Sequence, residues 1–165
     1  MSEKEPLAWY SITNIDTIDT PALIVFPERI KQNIQLLISM ISGLEWLRPH
    51  VKTHKMMEVT EMLLQAGITK FKCATIAEAE MLGQAGAPDV LLAYQPVGPK
   101  INRLLHLVQK YPSTTYSCLV DNLPVAQSIA ATFAGEGLSL PVFLDLNVGM
   151  NRTGIVPGPE AFALY

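Results

Sequence analysis

Charge is scarce in this sequence: 16% of its residues are Asp, Glu, Lys or Arg, and the formal net charge is −3. Nucleic acids and anionic membrane surfaces are bound through a surplus of Lys and Arg, so neither is expected as a partner. Cysteine is nearly missing. Cys73 and Cys118 stand alone in apolar runs, which excludes a zinc quartet or a secreted disulfide framework and predicts buried thiols. Long hydrophobic runs are missing too, none approaching the ~18 residues of a membrane span. The acidic, polar start MSEKEPLAWY lacks the basic and apolar regions of a signal peptide, so a cytoplasmic protein is expected. No glycine-rich phosphate loop follows the first apolar run, where ALIVFPERI passes directly into a helical pattern. That argues against a dinucleotide-binding fold.

What is present is a rhythm. After a polar arm over residues 1–20, β-rich runs recur at 22–25, 45–53, 71–75, 90–94, 115–121 and 142–148, their starts roughly 25 residues apart. Helical periodicity fills the intervals. In PERIKQNIQLLISMIS the residues Ile30, Ile34, Leu37, Ile38 and Ile41 share one face behind Pro27, which is tolerated in a first helical turn. Further helices are predicted over 56–66 and 77–85, stopped by Gly67 and Gly86, from Pro99 to Lys110, and after Asn122.

Alternating β and α units with short connections predict a parallel sheet covered by helices. With no dinucleotide fingerprint, a (β/α)8 TIM-type barrel is favoured, of which about six βα units over 21–165 are represented. Two open sheet edges would be a liability, so the chain is expected to be the N-terminal part of a longer polypeptide.

One stretch concentrates the charge that the rest lacks. LRPHVKTHK, Leu47 to Lys55, holds one arginine, three other basic side chains on the same parity or next to it, and a second lysine at its end. Pro49 disfavours a helix interior, so the segment is read as extended, with Arg48, His50, Lys52 and His54 on one face. Three readings compete: a solvated basic edge, a metal site, and a lysine prepared for chemistry. Along a continuous strand His50 and His54 would stand about 13 Å apart, too far to share one zinc, and no metal ligand is assigned. A lysine desolvated at a barrel rim beside other cations releases its proton more readily, and a neutral amine is the nucleophile that a Schiff base requires.

RPHVKTHK, FKCATIAEAEMLGQAG, VLLAYQPVG and LDLNVGMNRTGI resemble, in order and spacing, the N-terminal barrel domain of the alanine-racemase-like, fold-type III pyridoxal-phosphate enzymes. The pattern is most like that of their D-threonine aldolase and D-serine dehydratase branch. The resemblance implies that Lys52 carries pyridoxal 5'-phosphate as a Schiff base, and that Arg152 contacts the cofactor ring near its phenolic oxygen. His50, Thr75 and Tyr94 are then candidates to line the cofactor site, and His54 to move protons beside Lys52. It further implies a small D-amino acid as substrate, aldol cleavage or dehydration as the reaction, and a homodimer. Racemization, or non-catalytic cofactor binding, are the alternatives. The family's C-terminal β-domain, phosphate-binding residues and divalent-metal ligands would lie outside these 165 residues. The pattern often has an acid where Asn147 stands, which leaves a charge at that position in doubt. His106 is expected to pack within its helix.

Overall fold

The computed structural model describes residues 8–165; the first seven residues of the arm predicted over 1–20 lie outside the described residues. Strands β1 (Lys70–Cys73), β2 (Asp89–Leu92), β3 (Thr115–Val120) and β4 (Val142–Leu144) form a parallel sheet in the order β1-β2-β3-β4. Each crossover is a helix: α3 (Ile76–Gln84) joins β1 to β2, α4 (Pro99–Lys110) joins β2 to β3, and α5 (Leu123–Gly135) joins β3 to β4. Helices α1 (Pro27–Ser39) and α2 (Met57–Gln65) precede the sheet and α6 (Pro159–Leu164) follows it. The fold is α/β, an open arc of the predicted barrel.

Alternation along the strands separates two faces. Phe71, Cys73, Val90, Leu92, Tyr116, Cys118 and Val120 are buried against the helices, as expected where a helix layer covers a parallel sheet. α3 comes very close to β3, because Gly83 lies against the Tyr116 and Tyr111 rings and the Tyr116 hydroxyl donates to the Ala79 carbonyl at 3.2 Å. On α4, Ile101, Leu104, Leu105 and Leu107 face the core, whereas His106 is exposed and does not pack. Both cysteines are buried, and burial pushes each thiol up to about 12.

Two predicted strands are absent. Residues 22–25 belong to no strand, with Leu23 79% exposed; a short apolar run has no ladder without a neighbour to bond. The segment 45–53 is interrupted at both ends. Leu44–Trp46 and Val51–Thr53 are single 3₁₀ turns, and between them the chain touches the sheet through one parallel bridge, His50 to Lys72, with the Lys72 N–H donating to the Pro49 carbonyl at 2.9 Å. The strand-like run stops there. The Val51 carbonyl accepts the His54 and Lys55 N–H groups at 3.1 and 2.8 Å, and the Ala74 N–H that would continue the ladder donates to Glu78 instead; the His50 imidazole Nδ1 also accepts the Lys52 N–H at 3.2 Å within the turn.

Candidate functional site at the C-terminal rim of the sheet

Period two therefore holds through His50 and then fails. His50 faces the same side as its bridge partner Lys72, away from the helices, but Lys52, Thr53 and His54 belong to a turn, and the common basic face predicted for Arg48, His50, Lys52 and His54 does not exist. Arg48 is spent elsewhere. Its guanidinium forms a two-pronged pair with the Asp89 carboxylate at 2.6 and 2.8 Å and reaches the Phe71 carbonyl at 3.3 Å. This pins the segment to the start of β2 and neutralises the charge.

The turn leaves Lys52 exposed, and its ammonium has no hydrogen-bond or ion-pair partner among the described residues. Lys55 differs. It donates to the Lys52 carbonyl at 2.9 Å and to Glu78 Oε1 at 2.7 Å. Glu78 is 5% exposed, and its second oxygen accepts the Ala74 N–H at 2.7 Å. Burial works against its charge, but the Lys55 hydrogen bond and the Ala74 N–H outweigh burial and hold the carboxyl below its ordinary value.

Both histidines act locally through Nδ1: His50 accepts from Lys52, and His54 accepts the Met56 N–H at 3.1 Å. An acceptor nitrogen carries no proton, so the neutral ring with hydrogen on Nε2 is assigned to each from these bonds. Burial lowers the affinity of His50 for a proton, and Lys52 and Lys72 lower it further; His54 is lowered by burial despite its Met56 bond and Glu78. The ~13 Å separation of the two rings assumed a strand, whereas a 3₁₀ turn rises only about 2 Å per residue. Among the described residues, no three His, Cys, Asp or Glu side chains cluster as metal ligands.

The other predicted site residues follow the C-terminal ends of β1, β2 and β4. Thr75 follows β1 and caps α3, its hydroxyl accepting the Glu78 N–H at 3.1 Å. Tyr94 follows β2, with the Lys100 ammonium 5.0 Å from its ring centroid. It borders two clefts, of ≈ 250 Å³ with Thr75 and Arg103 and of ≈ 140 Å³ with Gln95, Asp121 and Asp145. Arg152 is exposed in the loop after β4. Lys52, His50, His54 and Thr75 thus gather around the end of β1, while Arg152 stands three strands away across the rim.

The Arg152 loop is held from inside. Asn147 Oδ1 accepts the N–H groups of Gly149 and Asn151 at 3.2 and 3.1 Å, and its Nδ2 donates to Asn151 Oδ1 at 3.1 Å. An amide, donor and acceptor at once, suits this position better than a carboxylate. The base is closed by Asn147 N–H to the Ile155 carbonyl and Ile155 N–H to the Asp145 carbonyl, both 2.9 Å. Gly154, at φ +93, donates to Asp121 Oδ2 at 3.0 Å, and a Cβ there would lie 2.7 Å from the Asn147 nitrogen. Asp121 is bound in turn by Gln95, whose Oε1 accepts the Asp121 N–H at 2.9 Å. The ends of β2, β3 and β4 are therefore laced together.

Sequence reading missed Lys72, hidden in the apolar run FKCAT, and Asp89 as the partner of Arg48. Glu78 falls in a helix-start spacing, Thr75-x-x-Glu78, which signals its place in the first turn of α3 but not its pairing with Lys55.

The family model for the alanine racemase N-terminal domain matches residues 25–165. D-threo-3-hydroxyaspartate dehydratase of Delftia sp. (strain HT23) is 30% identical over 141 residues, covering 84% of this chain and 36% of its own. D-threonine aldolase of Arthrobacter sp. is 27% identical over 148 residues, 89% of this chain and 38% of its own. Among solved structures, D-threonine aldolase from Filomicrobium marinum superimposes with a TM-score of 0.79 at 28% identity, covering 88% of this chain and 39% of that one. The chain spans less than two fifths of the length of these relatives.

Proposed function

The chain belongs to the family of the alanine racemase N-terminal domain, and from that premise we propose that it serves a pyridoxal-phosphate-dependent reaction on a β-hydroxy-D-amino acid, by aldol cleavage or dehydration. The observation that carries the reading is the contrast between two lysines in one turn: Lys52 offers an exposed amine without a partner among the described residues, while Lys55 is engaged by Glu78 and the Lys52 carbonyl. An aldehyde cofactor needs a reachable primary amine and a donor for its ring oxygen. Lys52 and Arg152 are residues of those two kinds, both exposed at the rim.

Lys52 is the attachment lysine in this reading, and Arg152, with its planar fork of donors, the group for the ring oxygen. Pyridoxal phosphate, when bound, supplies an electron sink for the carbanion left by bond cleavage at the substrate's α-carbon. The work of the chain is to hold and to protonate. Lys52, whose amine is exposed and without a partner among the described residues, would hold the cofactor and would take or return a proton at the substrate's α-carbon. His50 and His54, with neutral rings and Nε2–H facing away from their backbone bonds, are donors to cofactor or substrate oxygens. Thr75, already an N-cap, and Tyr94 line the rim beside them. The D-threonine aldolase and D-threo-3-hydroxyaspartate dehydratase relatives support the substrate class.

The test is product analysis of the cofactor-loaded protein with D-threonine, D-serine, D-threo-3-hydroxyaspartate and D-alanine, with and without divalent metal. Glycine plus an aldehyde identifies aldol cleavage; ammonia plus a 2-oxo acid identifies dehydration. Formation of only the L-enantiomer assigns racemization instead, and cofactor binding with no turnover assigns a binding role. The same preparation in gel filtration checks the proposed homodimer.

A further inference from the structure

The turn that presents Lys52 is held by its neighbour. Lys55 takes a left-handed backbone, φ +55, which residues with a Cβ adopt rarely and keep only where the surroundings over-determine it. From there its ammonium reaches back to the Lys52 carbonyl and across to Glu78. Glu78 is buried, and a carboxylate removed from water needs its partners. Its other oxygen holds the Ala74 N–H, at the end of β1, and its own N–H is capped by Thr75 at the start of α3. One chain of charge-assisted bonds thus ties together the Lys52 turn, the end of β1 and the first turn of α3.

Helix capping explains the bonds among Ala74, Thr75 and Glu78, but it does not require a lysine from another element, nor that this lysine also bind the Lys52 carbonyl. We propose that Lys55 and Glu78 are a positioning pair for Lys52, fixing its backbone against the end of β1 so that its amine meets the cofactor's aldehyde from one direction. Neither residue needs to touch substrate. The inference rests on the assignment of Lys52 as the attachment lysine.

The test is timed incubation of the purified protein with limiting pyridoxal phosphate, trapping with borohydride, and mass-spectrometric mapping of the modified lysines. Lys55→Gly keeps the left-handed backbone accessible but removes the ammonium; Lys55→Arg keeps a cation; Glu78→Gln breaks the pair from the other side and leaves residue 55 untouched. The labelling rate at Lys52 is expected to fall about tenfold in Lys55→Gly and Glu78→Gln, the scale of one charge-assisted hydrogen bond, and to recover largely in Lys55→Arg. Labelling at exposed Lys31, on α1, stays at its wild-type rate throughout. If Lys55→Gly does not fold, Glu78→Gln carries the comparison. Wild-type rates at Lys52 in folded Lys55→Gly or Glu78→Gln protein would overturn the pairing alone. Absence of Lys52 labelling in the wild type would overturn both the cofactor assignment and the inference that rests on it.

Discussion

Replacing Arg48 with methionine removes the two bonds to Asp89, at 2.6 and 2.8 Å, and the bond to the Phe71 carbonyl at 3.3 Å, while keeping most of the aliphatic volume. The partners are about one quarter and one third exposed, 24% and 32%, so water screens part of the loss. A fully buried pair broken on one side costs ~3–5 kcal/mol, and an exposed one ~0–1 kcal/mol; an intermediate cost of about 2 kcal/mol follows. For a chain of this size each kcal/mol moves Tm by about 2–4 °C, so a fall of about 4–8 °C is expected. The assay is thermal unfolding by circular dichroism, with Asp89→Asn and the double variant completing a cycle. The two single effects should not add, the coupling being about 1–2 kcal/mol. A Tm within about 1 °C of wild type, or strict additivity, would refute the argument that this pair anchors the 47–53 segment to the sheet.

Gly154→Ala forces a Cβ against the Asn147 nitrogen at an unfavourable φ; a loss of about 2 kcal/mol is expected, with faster amide exchange at Gly149 and Asn151. Gly83→Ala pushes into the Tyr116 hydroxyl and the Tyr111 ring and should cost about 1–3 kcal/mol through overpacking, read as a lower denaturant midpoint. Cys73 and Cys118, buried and pushed up to about 12, should react with a thiol reagent at neutral pH only after denaturant is added. For His50 and His54 the folded state binds the proton more weakly than the unfolded chain. Their contribution is thus complete above the ordinary histidine value of 6.5 and lost as pH falls below it. Glu78, also lowered, adds a separate loss only below the ordinary carboxylate value of 4.5. Denaturant midpoints between pH 7.5 and 5.5 should therefore decline in the wild type and decline less in His50→Asn with His54→Asn.

Helices were legible where punctuation and period agreed. α4 begins at Pro99 and ends at Lys110 as its sequence predicts, because a first-turn proline and a continuous apolar face act locally. Strands β1 to β3 were legible within a residue or two, since each apolar run gains at least one parallel strand neighbour. The runs at 22–25 and 45–53 failed for two reasons. A strand is a property of a pair, and residues 22–25 have no bonded partner; and beyond His50 the Val51 carbonyl and the Ala74 N–H are taken by the turn and by Glu78, a competition that hydrophobic pattern does not register. Period two thus separated Lys52 from Lys55 on a premise that does not hold beyond His50. What distinguishes them physically is Glu78, which engages Lys55; the Thr75-x-x-Glu78 spacing signals a helix start but not that pairing. The Arg48–Asp89 pair was not legible, because the two residues stand 41 positions apart and only the fold brings them together. Asn147 looked like a missing charge, yet it is the amide around which the Arg152 loop is built.

In the proposed reaction Lys52 is the amine that takes up pyridoxal phosphate. Incubation with the cofactor at neutral pH, reduction with borohydride and peptide mapping of wild type and Lys52→Ala tests it directly. A phosphopyridoxyl group concentrated on Lys52 in the wild type and lost in the variant is expected. Label spread over the exposed lysines, or equal uptake by Lys52→Ala, would contradict it.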